Sequence, residues 1–397
     1  MKIPNLIIGG GIAGLMVAYR LERMGLNFIL VEKRDYLGGR IKSKYFHGKK
    51  MPLGAGIMRE TDNSCISLCK EMNVTYSTFQ STYISHPSLN YNQETIDMLV
   101  SLIKSTYEIY KPRLDKNPMN FRAFIQLYLP SHLSRIEECL AYTDCWDTDV
   151  KCLIDDYPLK ELFPSAHTAC SIDGGWDSVI EHIINKITNN PHLHTLEKVS
   201  AIDSEKKTVV TDRETYFYDK LFICTDISIF GEKHILPPLI NDYLKNIGSV
   251  PYFRLYTYHP FGHNIPHFYY VPGPINKSIP MSDKVLMASY SDNHNAQHIK
   301  QLSLDASPID NLNKLLQSTQ TGGEYHSDYF TDYMYKYWKH GVHYYKPHIK
   351  PSGSSNFLFS DDVYVIGEMV SHSQGWVEGA ITSANDAVAH FTEKLIL

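Results

Sequence analysis

A glycine cluster set between an apolar run and an amphipathic one constrains this chain more than any other feature. Gly9-Gly10-Gly11-Ile12-Ala13-Gly14 fits the pattern G-x-G-x-x-G. Residues 3 to 8 before it read as a short buried strand, and Ile12 to Met24 after it as an amphipathic helix closed by Gly25. Phe28-Ile29-Leu30-Val31 follows as a second strand. Such a βαβ opening, with short apolar strands that do not alternate, suits a parallel sheet covered on both faces. Gly9 permits the tight turn, Gly11 lets the backbone approach a pyrophosphate, and Gly14 allows close helix–strand packing. The helix N-terminus presents unpaired N–H groups and a partial positive charge to phosphates. Glu32, at the end of the second strand, is placed to accept hydrogen bonds from a ribose hydroxyl pair. Strand, helix and acid in this order predict a dinucleotide site.

At 397 residues the chain exceeds what one hydrophobic core supports, so two domains or one interleaved pair are expected. From about residue 60 to 165 the pattern is mostly helical, as in Glu94 to Tyr107 and Ser134 to Ala141. Gly174-Gly175 opens a helix over Asp177 to Ile187, and strand-like pieces follow at His194 to Ile202, Lys207 to Thr211 and Lys220 to Cys224. Residues 250 to 290, rich in Tyr, Phe and Pro, predict antiparallel strands at Phe253 to Tyr258, His267 to Val271 and Val285 to Tyr290. Lys350 to Asn356 reads as a loop. A strand (Val363 to Ile366), a Gly-rich turn and a helix (Val377 to Leu395) end the chain. The expected fold is α/β: a Rossmann-like domain whose parallel sheet is discontinuous in sequence (1–70, 166–245 and 356–397), interleaved with an α+β substrate domain (71–165 and 246–355).

Composition removes several classes of function. With 38 Lys+Arg against 43 Asp+Glu the net charge is −5, and no long basic run appears, which argues against a nucleic-acid partner. No stretch reaches the roughly 18–20 apolar residues of a membrane span. Leu6 to Tyr19 lacks the basic start and cleavage site of a signal peptide. Seven cysteines, an odd number with none after Cys224, suit buried thiols in a reducing compartment. A soluble, cytoplasmic protein is expected, with Cys65 and Cys69 as packed thiols. His259, His263 and His267 recur every four residues, but Pro260, Gly262 and Pro266 break any common helical face, so no metal site is expected.

Glu32-Lys33-Arg34-Asp35-Tyr36-Leu37-Gly38-Gly39-Arg40 resembles the flavin-containing amine oxidase family, which carries an acid, a nearby arginine and a Gly-Gly-Arg at this spacing. Leu53-Gly54-Ala55-Gly56-Ile57 is similar to the family's next glycine loop. Val363-Tyr364-Val365-Ile366-Gly367-Glu368 with Gly375-Trp376-Val377-Glu378-Gly379-Ala380 resembles its closing motif. The resemblance implies the amine-oxidase two-domain fold and noncovalently bound FAD. It places Glu32 on the adenosine ribose, Arg34 and Arg40 along the cofactor, and Ala55, Gly56 and Ile57 on its flavin side. Val199 would meet adenine through its backbone, Gly367 and Glu368 the ribityl–phosphate part, and Trp376 and Val377 the flavin ring.

By the same resemblance the protein transfers hydride from an amine or amino acid to the flavin, with dioxygen as acceptor and imine, aldehyde and hydrogen peroxide as products. Two departures stand out. The segment Ser249 to Tyr256 contains no lysine, which many members carry there; Arg254 is the nearest cation, and it suits either a substrate carboxylate or a structural salt bridge. Trp376 matches one member of the family's aromatic pair, while His343 or Tyr344 takes the other place, with His343 a candidate proton acceptor or a satisfied core residue. Two alternatives stay open: a related flavoprotein of other chemistry (a desaturase or a sugar mutase), and an FAD-containing scaffold without catalysis. The oligomeric state is open.

Overall fold

The apolar runs Lys2–Ile8 and Phe28–Val31 become adjacent parallel strands, and their buried side chains need cover on both faces of a sheet. The computed structural model describes residues 1–81, 83–85, 92–140, 142–157, 159–163, 167–187, 192–230, 234–263, 265, 268–271, 273–319, 330–347 and 355–396. Its main sheet runs through Leu193–His194, Phe28–Val31, Lys2–Ile8 and Thr215–Ile223, all parallel. The last of these is shared on its far side: its first half takes the antiparallel Thr208–Thr211, and its second half takes the parallel Val363–Val365. The first helix (Ile12–Arg23), the last (Val377–Ile396) and the helices Trp176–Lys186 and Asn63–Met72 cover one face in one core that also holds Cys65 and Cys69. The other face packs under helix Pro238–Leu244.

A second sheet has the order Asp332–Tyr345, Ile247–Tyr258, Val285–Asp292, Asn276–Pro280, Phe268–Val271, Tyr83–Ser85. Beside it, helices Gln93–Leu114, Phe121–Tyr128, Leu133–Cys139 and Val150–Asp155 share a core of their own. The fold is thus mixed α/β with two domains, as the sequence predicts. The long strand Ile247–Tyr258 slips register on both sides, at Val250/Tyr252 against one neighbour and at Leu255/Tyr256 against the other. Pro251 sits at the first slip, where its missing N–H removes one rung of the ladder.

Three local expectations change. The single strand expected over His194 to Ile202 is two strands: Leu193–His194 joins one end of the main sheet, and Val199–Asp203 lies towards the other, between Thr208–Thr211 and His234–Ile235. Leu196, at φ 54°, turns the chain between them. The stretch expected to be mostly helical also holds strands: Met58–Arg59 and Tyr76–Ser81 flank His167–Ile172 in a small antiparallel sheet. Helices Asn293–Leu302 and Pro308–Thr319 follow the Tyr-rich strands without a marked sequence signal. Residues 350–354 of the expected loop, and Pro266 and His267 of the histidine series, lie outside the described residues. No helix of the described residues is long and apolar enough to cross a membrane.

Candidate cofactor and active site

Register brings the chemistry to one edge. Ile8 aligns with Val31 and with Ile223, and Ile223 aligns with Val365, so four parallel strands end together. The chain leaves them at Gly9, Glu32, Cys224 and Ile366, and three backbone bonds lock the exits: Gly9 N–H to Val31 O (2.8 Å), Cys224 N–H to Ile8 O (2.8 Å) and Ile366 N–H to Ile223 O (2.9 Å). Ligands of open α/β sheets bind outside such carboxyl ends. Gly14 packs so closely that a Cβ there would lie 2.0 Å from Gly9 O, whereas a Cβ on Gly11 would meet nothing within 4 Å. Gly11 therefore presents bare backbone to open space at the head of the first helix. The Glu32 carboxylate is buried at the cavity edge, accepting from Gly10 N–H (2.7 Å) and Arg34 N–H (2.9 Å).

This edge opens into a cavity of about 1050 Å³. Gly9, Gly11, Ile12, Ala13, Glu32, Arg34, Gly38, Gly39, Arg40, Ala55, Gly56, Ile57, Gly367, Glu368, Trp376 and Val377 all border it, as do Arg254, His343 and Tyr344. Gly14 and Val199 do not border it. Glu368 is the hub of the cofactor side. One carboxylate oxygen accepts from Arg40 Nη1 (2.6 Å) and from His343 Nδ1 (2.5 Å), and the other from Gly375 N–H (2.8 Å). Burial pushes this carboxyl up, but Arg40, His343 and the Gly375 N–H outweigh it and hold it well below the usual carboxylate range.

The same bonds decide two open readings. His343 gives Nδ1–H to Glu368 and takes the Ile227 N–H on Nε2 (3.4 Å), so both ring nitrogens are engaged and the side chain is buried. The proton-acceptor reading of His343 is corrected to a brace that fixes Glu368. Arg254 has no carboxylate within ion-pair distance among the described residues. Its Nε donates to Tyr252 Oη (3.1 Å) and Nη1 to Pro52 O (2.9 Å), which removes the salt-bridge reading. The Tyr344 ring lies over Gly248, where a Cβ would come within 2.2 Å of it.

Trp376 stands at the head of the last helix. Its Nε1 donates to Tyr157 Oη (3.2 Å), and the Arg59 guanidinium carbon lies 4.1 Å from its ring centroid. Arg59 is held by Asp62 (2.9 Å) and Glu161 (3.1 Å). Sequence reading missed Tyr157 and Arg59; only the general abundance of tyrosine hinted at the former.

Comparison with known proteins bears on what this cavity holds. A model of the family described as flavin containing amine oxidoreductase matches residues 12–146. The human lysine-specific histone demethylase 2 is 23% identical over 277 residues, 62% of this chain and 33% of that protein. Flavin-containing amine oxidase B of Cavia porcellus is 36% identical over 74 residues, 18% of this chain and 14% of its own length. These matches thus span a third or less of the curated relatives. Wild-type putrescine oxidase bound to putrescine superposes with a TM-score of 0.70 at 14% identity over 99% of both chains, and a cofactor-binding redesign of the same enzyme with 0.75 at 13%. At that identity the superposition shows the shared fold. Residues 12–146 thus resemble the flavin containing amine oxidoreductase family, and the whole chain shares the fold of putrescine oxidase.

The family's cofactor is FAD, and the residues present fit it. The exposed Gly11 backbone and helix N-terminus suit a pyrophosphate, and Glu32, tethered by two N–H groups, offers a fixed acceptor to a ribose diol. Arg34 borders the same groove with no carboxylate within ion-pair distance among the described residues. Trp376 and Tyr344 both border the cavity, while both ring nitrogens of His343 are engaged.

Proposed function

We propose that this chain is an FAD-dependent oxidoreductase of amines, converting an amine, dioxygen and water, by way of the imine, to a carbonyl product, ammonia or a shorter amine, and hydrogen peroxide. The observation that carries this reading is the continuity of one cavity from the cofactor edge at Gly11 to the aromatic wall of Trp376 and Tyr157. When bound, FAD supplies the hydride acceptor for the carbon beside the amine nitrogen and passes the electron pair to dioxygen. The chain's own part is orientation and exclusion of water. Trp376, clamped by Tyr157 and Arg59, gives the substrate a rigid flat wall, and Tyr344 a second ring. Glu368 fixes Arg40 and the Gly375 turn, so the head of the last helix keeps its place beside the cofactor.

On this reading segments 1–70, 166–245 and 356–397 form the cofactor domain and the rest the substrate domain. FAD is held noncovalently, so acid denaturation releases all yellow colour from the protein. Arg254, buried without a carboxylate partner among the described residues, favours an amino acid as the second substrate class. The test is an anaerobic screen of the yellow protein against amines, polyamines and L-amino acids. Loss of the oxidised flavin band with one class supports the reading. A flavin bleached by dithionite but by none of these compounds ends it in favour of mutase-like or scaffold roles.

A further inference from the structure

A second group of charges borders the cavity and takes no part in holding the cofactor. Asp144 and Asp292 both line it. Asp292 is saturated: it accepts from Thr143 Oγ1 (2.5 Å), Thr143 N–H (3.1 Å) and Asp144 N–H (3.4 Å). The Asp144 carboxylate is met by backbone N–H groups, its own and that of Cys145, and receives no side-chain donor among the described residues. Behind them Lys277, 1% exposed, puts its Nζ 3.4 Å from the ring centroid of Tyr142 and 4.6 Å from that of Tyr290. On the other side Asp144 acts electrostatically on Tyr157, which holds Trp376, and on Tyr344. A carboxylate without a side-chain donor thus borders the cavity close enough to act electrostatically on Tyr157 and Tyr344.

Hydride departure requires a lone pair on nitrogen. An alkylamine with a pKa near that of lysine is neutral in roughly one molecule in two thousand at pH 7. Something must take the proton. We propose that Asp144 is a catalytic residue that meets the incoming ammonium and removes its proton. This rests on the amine reading above. One N–H bond breaks with its electrons left on nitrogen, and one O–H bond forms on Asp144, with no change of oxidation state.

The surroundings suit the task. Burial, then the charge of Asp292, pushes the Asp144 carboxyl up to about 7, where a base works best at neutral pH. Burial pulls Lys277 down to about 7, against Asp292 and Asp144, which raise it, while Arg254 lowers it further. Among the described residues Tyr157 and Tyr344 also feel the charge of Asp144, with Cys145 beside it. Below about pH 7 Asp144 already holds its proton and cannot accept another, so productive binding falls away on that side.

The experiment compares FAD-loaded wild type with Asp144→Asn and Asp144→Glu, mixed anaerobically with an amine that bleaches the wild type. Expected is a ~100-fold lower bimolecular rate for Asp144→Asn at pH 7, recovering as the pH approaches the free amine's own pKa, and rescue to within about tenfold by Asp144→Glu. An infrared pH titration supplies a readout apart from turnover: wild type loses a protonated-carboxyl band near pH 7 that Asp144→Asn lacks. Asp144→Asn reduced at the wild-type rate with the wild-type acid limb overturns the proposal, as does the absence of such a band from wild type should the variant not fold. A wild type that no amine bleaches instead removes the amine reading itself.

Discussion

Two carboxylates, Glu368 buried and Asp144 half-buried, face the same cavity from opposite circumstances. Glu368 has every oxygen occupied, by Arg40, His343 and the Gly375 N–H. Asp144 has a neighbouring carboxylate in Asp292 and a cation, Lys277, engaged with tyrosine rings. Burial penalises the charged form of both, yet Glu368 ends well below its ordinary value and Asp144 well above. The difference lies in the charged partners supplied: Arg40 and His343 beside Glu368, the like charge of Asp292 beside Asp144. A saturated carboxylate makes a fixed mount, and an unsaturated one keeps the capacity to exchange a proton.

The largest expected effect breaks the saturated side. Glu368→Gln leaves Arg40 and His343 competing for one neutral oxygen and faces the Gly375 N–H with a donor. A loss of about 3–5 kcal/mol follows from breaking a buried pair, read by chemical denaturation and by FAD lost on desalting. A yellow variant with unchanged stability would erase the contrast. Next, the double variant Lys277→Met/Asp144→Asn should gain about 1–3 kcal/mol at pH 7, because it removes charges that burial opposes. The gain is largest near pH 7. Asp144, raised on folding, loses stability for the protein as pH climbs from its ordinary 3.8 to about 7, and Lys277, lowered, restores it from about 7 towards its ordinary 10.5. Equal gains at pH 5, 7 and 9 would show that the cluster does not titrate.

A smaller effect sharpens the link between the two sides. Tyr157→Phe removes the acceptor of Trp376 Nε1 and should cost about 1 kcal/mol, with a rise in KM larger than the fall in kcat. Unchanged kinetics would detach Trp376 from that grip. The smallest effect is a flat line. Glu368 contributes its stability above its ordinary 4.5 and loses it only as pH falls through its depressed folded value, so FAD retention, followed by released-flavin fluorescence, should not vary between pH 5 and 9. A step near neutrality would place another titrating group in the cradle.

The cofactor side was legible in the sequence because its geometry is local. Gly9 to Gly14 and Val363 to Glu368 follow strands whose carboxyl ends register fixes together, so spacing alone carries the chemistry. The substrate side was not. Asp292 meets Thr143 across 149 positions, and Tyr157 meets Trp376 across 219, contacts that no periodicity announces. His343 shows the limit within a recognised motif: strand alternation brought it to the cavity, but its role depended on Glu368 and the distant Ile227 N–H.

Arg40 and Glu368 are separated by 328 positions, so the cradle joins early and late parts of the chain. At a synthesis rate of about 5–20 residues per second, roughly 15–65 s pass between the emergence of the two partners. For that interval the nascent glycine loop has its strand and helix but no closing acid, and the first helix lacks the last one as its packing neighbour. Assembly of the cradle thereby waits until Glu368 has emerged.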